Sequence, residues 1–138
     1  GNPEENRREF NEVIDNADVS IQVLGVGPDG HLAFNEPGDT LWDKAHMETL
    51  DQSTIEANAR FFASIDDVPR TAFTMGMGQI MRARTLLMIM SNNKEEAAKQ
   101  LLLGDKLDPH CPCTFMKMHR DAYVFLEKEL ADKIGYVG

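Results

Sequence analysis

One stretch, residues 24–37, constrains this chain more than any other, and its sequence is LGVGPDGHLAFNEP. It follows a mainly apolar run at 19–24 that predicts a buried strand. Gly25, Gly27 and Gly30 then fall close together, and glycine permits sharp turns and a close approach of the backbone to a ligand. Because open α/β sheets place their sites in the loops that follow strands, the sequence predicts a ligand site here.

Three side chains in this stretch, Asp29, His31 and Glu36, can carry acid–base chemistry. Asp29 and His31 are two residues apart, so in extended backbone their side chains point to the same side. A carboxylate beside an imidazole orients the ring, which suits general acid–base catalysis, and Glu36 would support the same ring or take a second proton. The alternative is a glycine turn whose polar side chains cap a helix and face solvent. The pattern alone favours neither.

Length and charge exclude several classes of protein. The 138 residues predict one domain with a real core. The net charge of −9 argues against nucleic acid or an anionic membrane as a partner, and no apolar run approaches the roughly 20 residues of a membrane span. Cys111 and Cys113 are too close in sequence for an ordinary disulfide, so we expect reduced thiols and a cytoplasmic protein.

Strands and helices are predicted to alternate along the chain. Strands are predicted at 19–24, 71–75, 85–90 and 121–126. Helices are predicted at 3–16, near 53–62, after 76–78 to about 82, near 94–102 and at 127–134. Residues 38–50 have little periodicity and predict a loop. Trp42 in that loop is expected in the core, and a contact with a lid is the alternative. The alternation predicts an α/β fold, a Rossmann-like doubly wound, mostly parallel sheet with flanking helices.

The run GVGPDGHLAFNEPG at 25–38 resembles the signature of the glucosamine-6-phosphate deaminase (isomerase) family. A looser form, G-x-G-x-D-G-H-x-A, is similar to that of 6-phosphogluconolactonases, and FNEP at 34–37 is the deaminase continuation. The resemblance extends through ANARFF at 57–62, MGMG at 75–78 and Lys94. It therefore covers nearly the whole chain.

The resemblance implies a reaction and roles for five residues. Family members convert glucosamine 6-phosphate and water into fructose 6-phosphate and ammonia, in amino sugar catabolism, with no metal or organic cofactor. His31 would open the pyranose by acid–base catalysis at the ring oxygen, with Asp29 and Glu36 holding the ring. Arg60 and Lys94 would bind the substrate phosphate.

Taken without the resemblance, Arg60 and Lys94 allow simpler interpretations. Arg60 lies near the C-terminal end of a predicted helix, where a cation is favourable in any case. Lys94 lies near a helix N-terminus and opposes the helix dipole, so either a bound anion compensates it or it is simply solvated.

The resemblance also implies that residues 1–138 are the C-terminal portion of a single α/β domain whose N-terminal portion is absent. That portion would supply a glycine/serine phosphate loop and the aspartate that moves the C2 proton, and nothing in this sequence matches either. The chain's expected partners are therefore a sugar phosphate and its own N-terminal half. Activity of the isolated chain and formation of a homo-oligomer stay open.

Regulated family members bind an anionic activator through basic residues just past the signature. This chain has Asp39, His46 and Glu48 in that region, so no such activation is expected.

Metal binding and three other functions are the alternatives to this interpretation. His110, Cys111, Cys113 and His119 suggest zinc, but C-x-C spacing is poor for a structural zinc site, so no metal is predicted. The alternative functions are a 6-phosphogluconolactonase-like hydrolase, a galactosamine-6-phosphate deaminase and a non-catalytic sugar-phosphate-binding module. The FNEP continuation argues against the hydrolase.

Overall fold

The structure is a computed structural model that describes residues 2–138. Its helices are α1 (Pro3–Asn16), α2 (Gln52–Asn58), α3 (Met77–Met81), α4 (Glu95–Leu102) and α5 (Lys128–Ile134). Its strands are β1 (Ile21–Leu24), β2 (His46–Thr49), β3 (Thr71–Thr74), β4 (Thr85–Met90) and β5 (Ala122–Leu126), and 3₁₀ turns lie at Ala59–Phe61, Ile65–Asp67 and Pro112–Met118.

The main sheet contains three parallel strands in the order β1-β4-β5. Parallel neighbours need long crossover connections, and here the segment from β1 to β4 contains the candidate site and a second, smaller sheet. This arrangement confirms the predicted α/β fold with a parallel sheet and flanking helices. The strand boundaries were nearly right, since β1 begins at Ile21 rather than at residue 19.

The second sheet, formed by β2 and β3 in antiparallel pairing, was not predicted. Residues 38–50 were expected to be a loop, yet they contain β2. That strand begins with a polar residue, His46, which is nevertheless buried because its ring nitrogens contact the Lys44 carbonyl at 2.9 Å and the Glu48 carboxylate at 3.0 Å. The expectation that Trp42 lies in the core was also wrong, because its side chain is exposed and stacks on His46.

Apolar side chains form two separate clusters. The larger one lies between one face of the main sheet and helices α3, α4 and α5, with Leu86, Met88 and Leu130 at its centre. Ala97 and Ala98 are fully buried in α4, and their small size lets the helix lie close to the sheet. The smaller cluster packs beside the β2–β3 sheet and is built from Leu50, Ile55 and Val68.

The opposite face of the main sheet is exposed. It presents apolar side chains from all three strands, each more than half exposed: Ile21, Val23, Ile89, Tyr123 and Phe125. The prediction that the run at 19–24 is buried therefore holds for Leu24 but not for Ile21 or Val23. Among residues 2–138 there is no helix with the length and apolar character needed to cross a membrane.

The two faces of β4 give a stability prediction. Leu86→Ala should lower the free energy of unfolding by roughly 2–5 kcal/mol, because it removes a fully buried side chain and leaves a cavity. Ile89→Ala on the other face should change it by less than about 0.5 kcal/mol, because that side chain is 59% exposed. Urea unfolding followed by circular dichroism measures both. Equal losses would mean that the second face is covered in solution.

Candidate active site

The loop after β1 is folded tightly by its own backbone. Gly27 donates its N–H to the His31 carbonyl at 3.0 Å, and Gly30 donates to the Gly27 carbonyl at 2.9 Å. Gly30 has φ +88° and lies against Cys111, whose Sγ would be 2.5 Å from an added Cβ. A side chain at position 30 is therefore excluded by both conformation and space.

The buried amide of Asn35 fixes the far end of this loop. Its Nδ2 donates to the Leu32 carbonyl at 3.1 Å and to the Met75 carbonyl at 2.8 Å, so the loop is attached to the residue that follows β3. Ala33, two residues before Asn35 in the same loop, has φ +51°. This backbone conformation is uncommon for non-glycine residues and frequent at functional sites. The loop is thus held by both sheets.

The structure brings the three predicted acid–base residues together. His31 Nδ1 lies 2.7 Å from Asp29 Oδ1 and 3.9 Å from Glu36 Oε2. Because an ionised carboxylate can only accept, Nδ1 donates to Asp29. The other ring nitrogen, Nε2, has no hydrogen-bond partner within residues 2–138, and His31 lines an open pocket of ≈280 Å³ together with Gly25, Gly27 and Ala33. Asp29 therefore fixes the orientation of the imidazole through Nδ1, while Nε2 is available to a ligand.

Glu36 is a buried carboxyl with two different oxygens. Oε1 accepts a hydrogen bond from the Thr54 hydroxyl at 2.8 Å, whereas Oε2 has no partner in the part of the chain described. Burial raises the pKa of Glu36 to about 7, although the Thr54 hydrogen bond and the His31 charge oppose this rise. Glu36 can therefore gain or lose a proton near neutral pH.

Asp29 behaves in the opposite way. Burial by itself would raise the pKa of Asp29, but the hydrogen bond and charge of His31 outweigh burial, and the pKa is lowered. Two carboxyls beside one imidazole thus have pKa values displaced in opposite directions, the pattern that separates a permanent anion from an acid–base group.

The same three groups could hold a metal ion. One ligand atom from each of Asp29, His31 and Glu36 lies within 4.8 Å of the others, and carboxylates with an imidazole suit a divalent cation.

The cysteines and the other histidines do not assemble into a zinc site within residues 2–138. Cys111 and Cys113 are buried free thiols whose sulfurs lie 3.7 Å apart. His110 instead contacts Asp39 at 3.0 Å, and His119 Nε2 donates to the Ala83 carbonyl at 2.6 Å.

The two predicted phosphate ligands are cations without carboxylate partners. Arg60 lies in the Ala59–Phe61 turn with its guanidinium 4.6 Å from the Phe61 ring centroid, and Lys94 occupies the cap position before α4. No salt bridge involves either one within residues 2–138. Burial lowers the pKa of Lys94. The charge of Asp29 opposes this shift and the charge of Arg60 adds to it, so the two cations repel each other. An anion between them would relieve that repulsion.

Sequence reasoning missed Thr54. It is 2% exposed and donates the sole hydrogen bond that the Glu36 carboxyl receives within residues 2–138. A threonine in a short polar helix carries no signal of its own, and its function depends on a contact across 18 positions of sequence.

Sequence comparison finds curated relatives that are similar to this chain over nearly all of its length. The glucosamine-6-phosphate deaminase of Clostridium beijerinckii is 42% identical over 133 residues, which is 95% of this chain and 54% of the relative. That of Lacticaseibacillus paracasei is 42% identical and is covered over 56% of its length. The chain thus spans about half the length of the curated relatives it matches. No protein-family model matches it.

Comparison with solved structures finds the same kind of protein. A monomeric glucosamine-6-phosphate deaminase superposes with a TM-score of 0.87 at 37% identity, over 94% of this chain and 54% of that one. The 6-phosphogluconolactonase of Trypanosoma brucei superposes with a TM-score of 0.68 at 16% identity, over 96% of this chain and 54% of that one, and shows the shared fold alone. Fold and site together define an α/β protein of the NagB superfamily. Within it, the chain belongs to the glucosamine-6-phosphate deaminase family.

Gly27 gives a test of the site geometry. A Cβ at position 27 would lie 2.0 Å from His31 Cε1 and 2.1 Å from Nδ1, so Gly27→Ala should push the ring away from Asp29 and cost about 1–3 kcal/mol of unfolding free energy. Imidazole nitrogen NMR should show loss of the Nδ1 hydrogen bond. Gly25→Ala is the matched control, because nothing lies within 4 Å of its Cβ. An unchanged His31 spectrum in Gly27→Ala would contradict the geometry.

Glu36 makes stability depend on pH. The folded chain holds this proton more tightly than the unfolded chain, so the free energy of unfolding falls as the pH rises from 4.5 through about 7. Glu36→Gln removes the ionisation, so its melting temperature relative to wild type should be higher at about pH 8 than at about pH 5. Melting curves by circular dichroism measure the difference, and a pH-independent difference would contradict the raised pKa.

Proposed function

We propose that this chain carries the ring-opening and phosphate-binding half of a glucosamine-6-phosphate deaminase. The observation that carries the proposal is the Asp29–His31–Glu36 cluster. It lies in a chain that belongs to the deaminase family. The overall reaction converts glucosamine 6-phosphate and water into fructose 6-phosphate and ammonia.

His31 acts first, on the closed sugar ring. The imidazole, protonated on both nitrogens, gives its Nε2 proton to the ring oxygen of the sugar as the bond from that oxygen to C1 breaks. Nε2, now unprotonated, takes the proton of the 1-hydroxyl as the C1 carbonyl forms, which leaves an open-chain aldehyde and a protonated imidazole. Asp29 accepts the hydrogen bond from His31 Nδ1, which fixes the orientation of the imidazole and stabilises its protonated form. Glu36, with a pKa of about 7, exchanges a proton beside the same imidazole.

Arg60 and Lys94 bind the 6-phosphate of the substrate. Guanidinium and ammonium groups suit phosphate oxygens, and these two have no carboxylate partner within residues 2–138. Holding the phosphate, which does not react, positions C1 and C2 for proton transfer.

The later steps require groups beyond those named. Moving a proton from C2 to C1 and releasing ammonia needs a further base. We assign it to the remaining portion of a family-length protein, with residues 1–138 as the C-terminal portion of the domain. Two observations support this assignment: the relatives are about twice as long, and one apolar face of the main sheet is exposed. Parallel sheets are normally covered on both faces, so we assign that portion to the exposed face.

The experiment that tests this function restores that portion. The chain is co-expressed with the N-terminal portion of a deaminase relative, and ammonia and fructose 6-phosphate are measured from glucosamine 6-phosphate. Production of both in equal amounts supports the proposal. Turnover of galactosamine 6-phosphate or 6-phosphogluconolactone instead, or binding without turnover, would overturn it in favour of the corresponding alternative.

Two variants separate chemistry from binding in the restored enzyme. His31→Gln should lower kcat by about 10²–10⁴-fold and leave the affinity for inorganic phosphate unchanged. Lys94→Met should weaken phosphate binding with a smaller effect on kcat, because it removes a phosphate contact rather than a proton carrier. Calorimetric titration with inorganic phosphate supplies the binding measurement. Equal loss of both properties in His31→Gln would mean that His31 is structural.

A further inference from the structure

Thr54 lies in the first turn of α2 and is 2% exposed. Its hydroxyl donates to Glu36 Oε1 at 2.8 Å, and its own backbone carbonyl accepts from Asn58 Nδ2 at 2.8 Å. The helix therefore holds Thr54, and Thr54 in turn holds one oxygen of the Glu36 carboxyl.

The carboxyl of Glu36 would otherwise have rotational freedom. The last torsion of a glutamate is broad and nearly two-fold, so packing alone selects its orientation weakly. With Oε1 hydrogen-bonded to Thr54, Oε2 is left without a partner within residues 2–138 and lies 3.9 Å from His31 Nδ1. The oxygen available for a proton is thus the one next to the imidazole.

We propose that Thr54 is a positioning residue that holds the Glu36 carboxyl with Oε2 towards His31 during proton transfer. This proposal rests on the proposed function of the site. It extends the acid–base system to a residue outside the signature loop, on the helix that leads directly into the Arg60 turn.

A positioning hydroxyl and a merely space-filling threonine make different predictions. The hydroxyl donates to the carboxyl, so it favours the ionised form of Glu36 and opposes the rise in pKa caused by burial. Its removal should therefore change the titration of Glu36, whereas loss of packing volume alone would change only stability.

The first test needs no substrate. Thr54→Val keeps the shape and removes the hydroxyl, Thr54→Ser keeps the hydroxyl, and Ser53→Ala, on the exposed neighbouring residue, is the matched control. Carboxyl carbon NMR follows Glu36, with Glu36→Gln identifying its signal. Thr54→Val should raise the pKa of Glu36 by about 1, since a hydrogen bond to a charged group is worth about that much. Thr54→Ser and Ser53→Ala should leave it unchanged. An unchanged titration in Thr54→Val overturns the proposal.

The second test uses the restored enzyme. Thr54→Val should lower kcat by about tenfold without raising KM, and Thr54→Ser should recover most of the loss. A rise in KM alone, or no recovery in Thr54→Ser, overturns the positioning role. If the restored wild type releases no ammonia, the proposed function fails, whereas the NMR titration still decides the contact between Thr54 and Glu36.

A direct measurement covers the case in which Thr54→Val does not fold. In the wild-type chain the Thr54 hydroxyl proton should exchange slowly with water and show a nuclear Overhauser contact to the Glu36 side chain, because both groups are buried. A fast-exchanging hydroxyl overturns the proposal.

Discussion

The two hydrogen bonds donated by the Asn35 amide are the contact on which the site depends. Asn35 is 1% exposed and its Nδ2 reaches carbonyls on the signature loop and after β3. Removing this side chain would cost about 0.5–1.5 kcal/mol for each of the two hydrogen bonds lost. Both carbonyls would keep a second donor, which is the Asn35 N–H at 2.8 Å for Leu32 and the Thr74 hydroxyl at 3.2 Å for Met75. Because Glu36 is the next residue, the amide also fixes where the second carboxyl enters the site. The acid–base cluster therefore depends on the contact that links the loop after β1 of the main sheet to the end of β3 in the smaller sheet.

Charge at the site differs from charge over the whole chain. The protein has a net charge of −9, yet Arg60 and Lys94 have no carboxylate partner within residues 2–138, and Lys94 is close enough to Asp29 of the candidate catalytic loop for the two charges to interact. Burial raises the pKa of both carboxyls and His31 lowers both. At Asp29 the contribution of His31 prevails and the pKa is lowered, whereas at Glu36 burial prevails and the pKa is raised. The proposed binding and opening of a sugar phosphate needs a local cationic pair and two unlike carboxyls, and the acidic net charge of the chain does not prevent either.

The sequence predicted those elements whose signal is local. Apolar runs predicted β1, β4 and β5. The spacing of Asp29 and His31 allowed a contact between their side chains, but it equally allowed a glycine turn with solvent-facing polar residues. The sequence did not predict β2, because His46 is a polar residue that becomes buried through its contacts with Lys44 and Glu48. Nor did it predict Thr54, whose partner is distant in sequence. Ile21 and Val23 were expected to be buried and are exposed, because an apolar run does not show which element packs on it. The roles of Arg60 and Lys94 stay predictions.

Trp42 has a consequence for spectroscopy. It is the single tryptophan of the chain, and its ring stacks on His46 with centroids 5.0 Å apart and planes at 18°. Its emission therefore reports on the β2–β3 unit, whereas far-ultraviolet circular dichroism follows the helices and strands of the whole chain. Comparing the two signals separates opening of the smaller unit from global unfolding. Coinciding transitions would show that the clusters unfold as one cooperative unit, and separated transitions would show that the smaller one opens by itself.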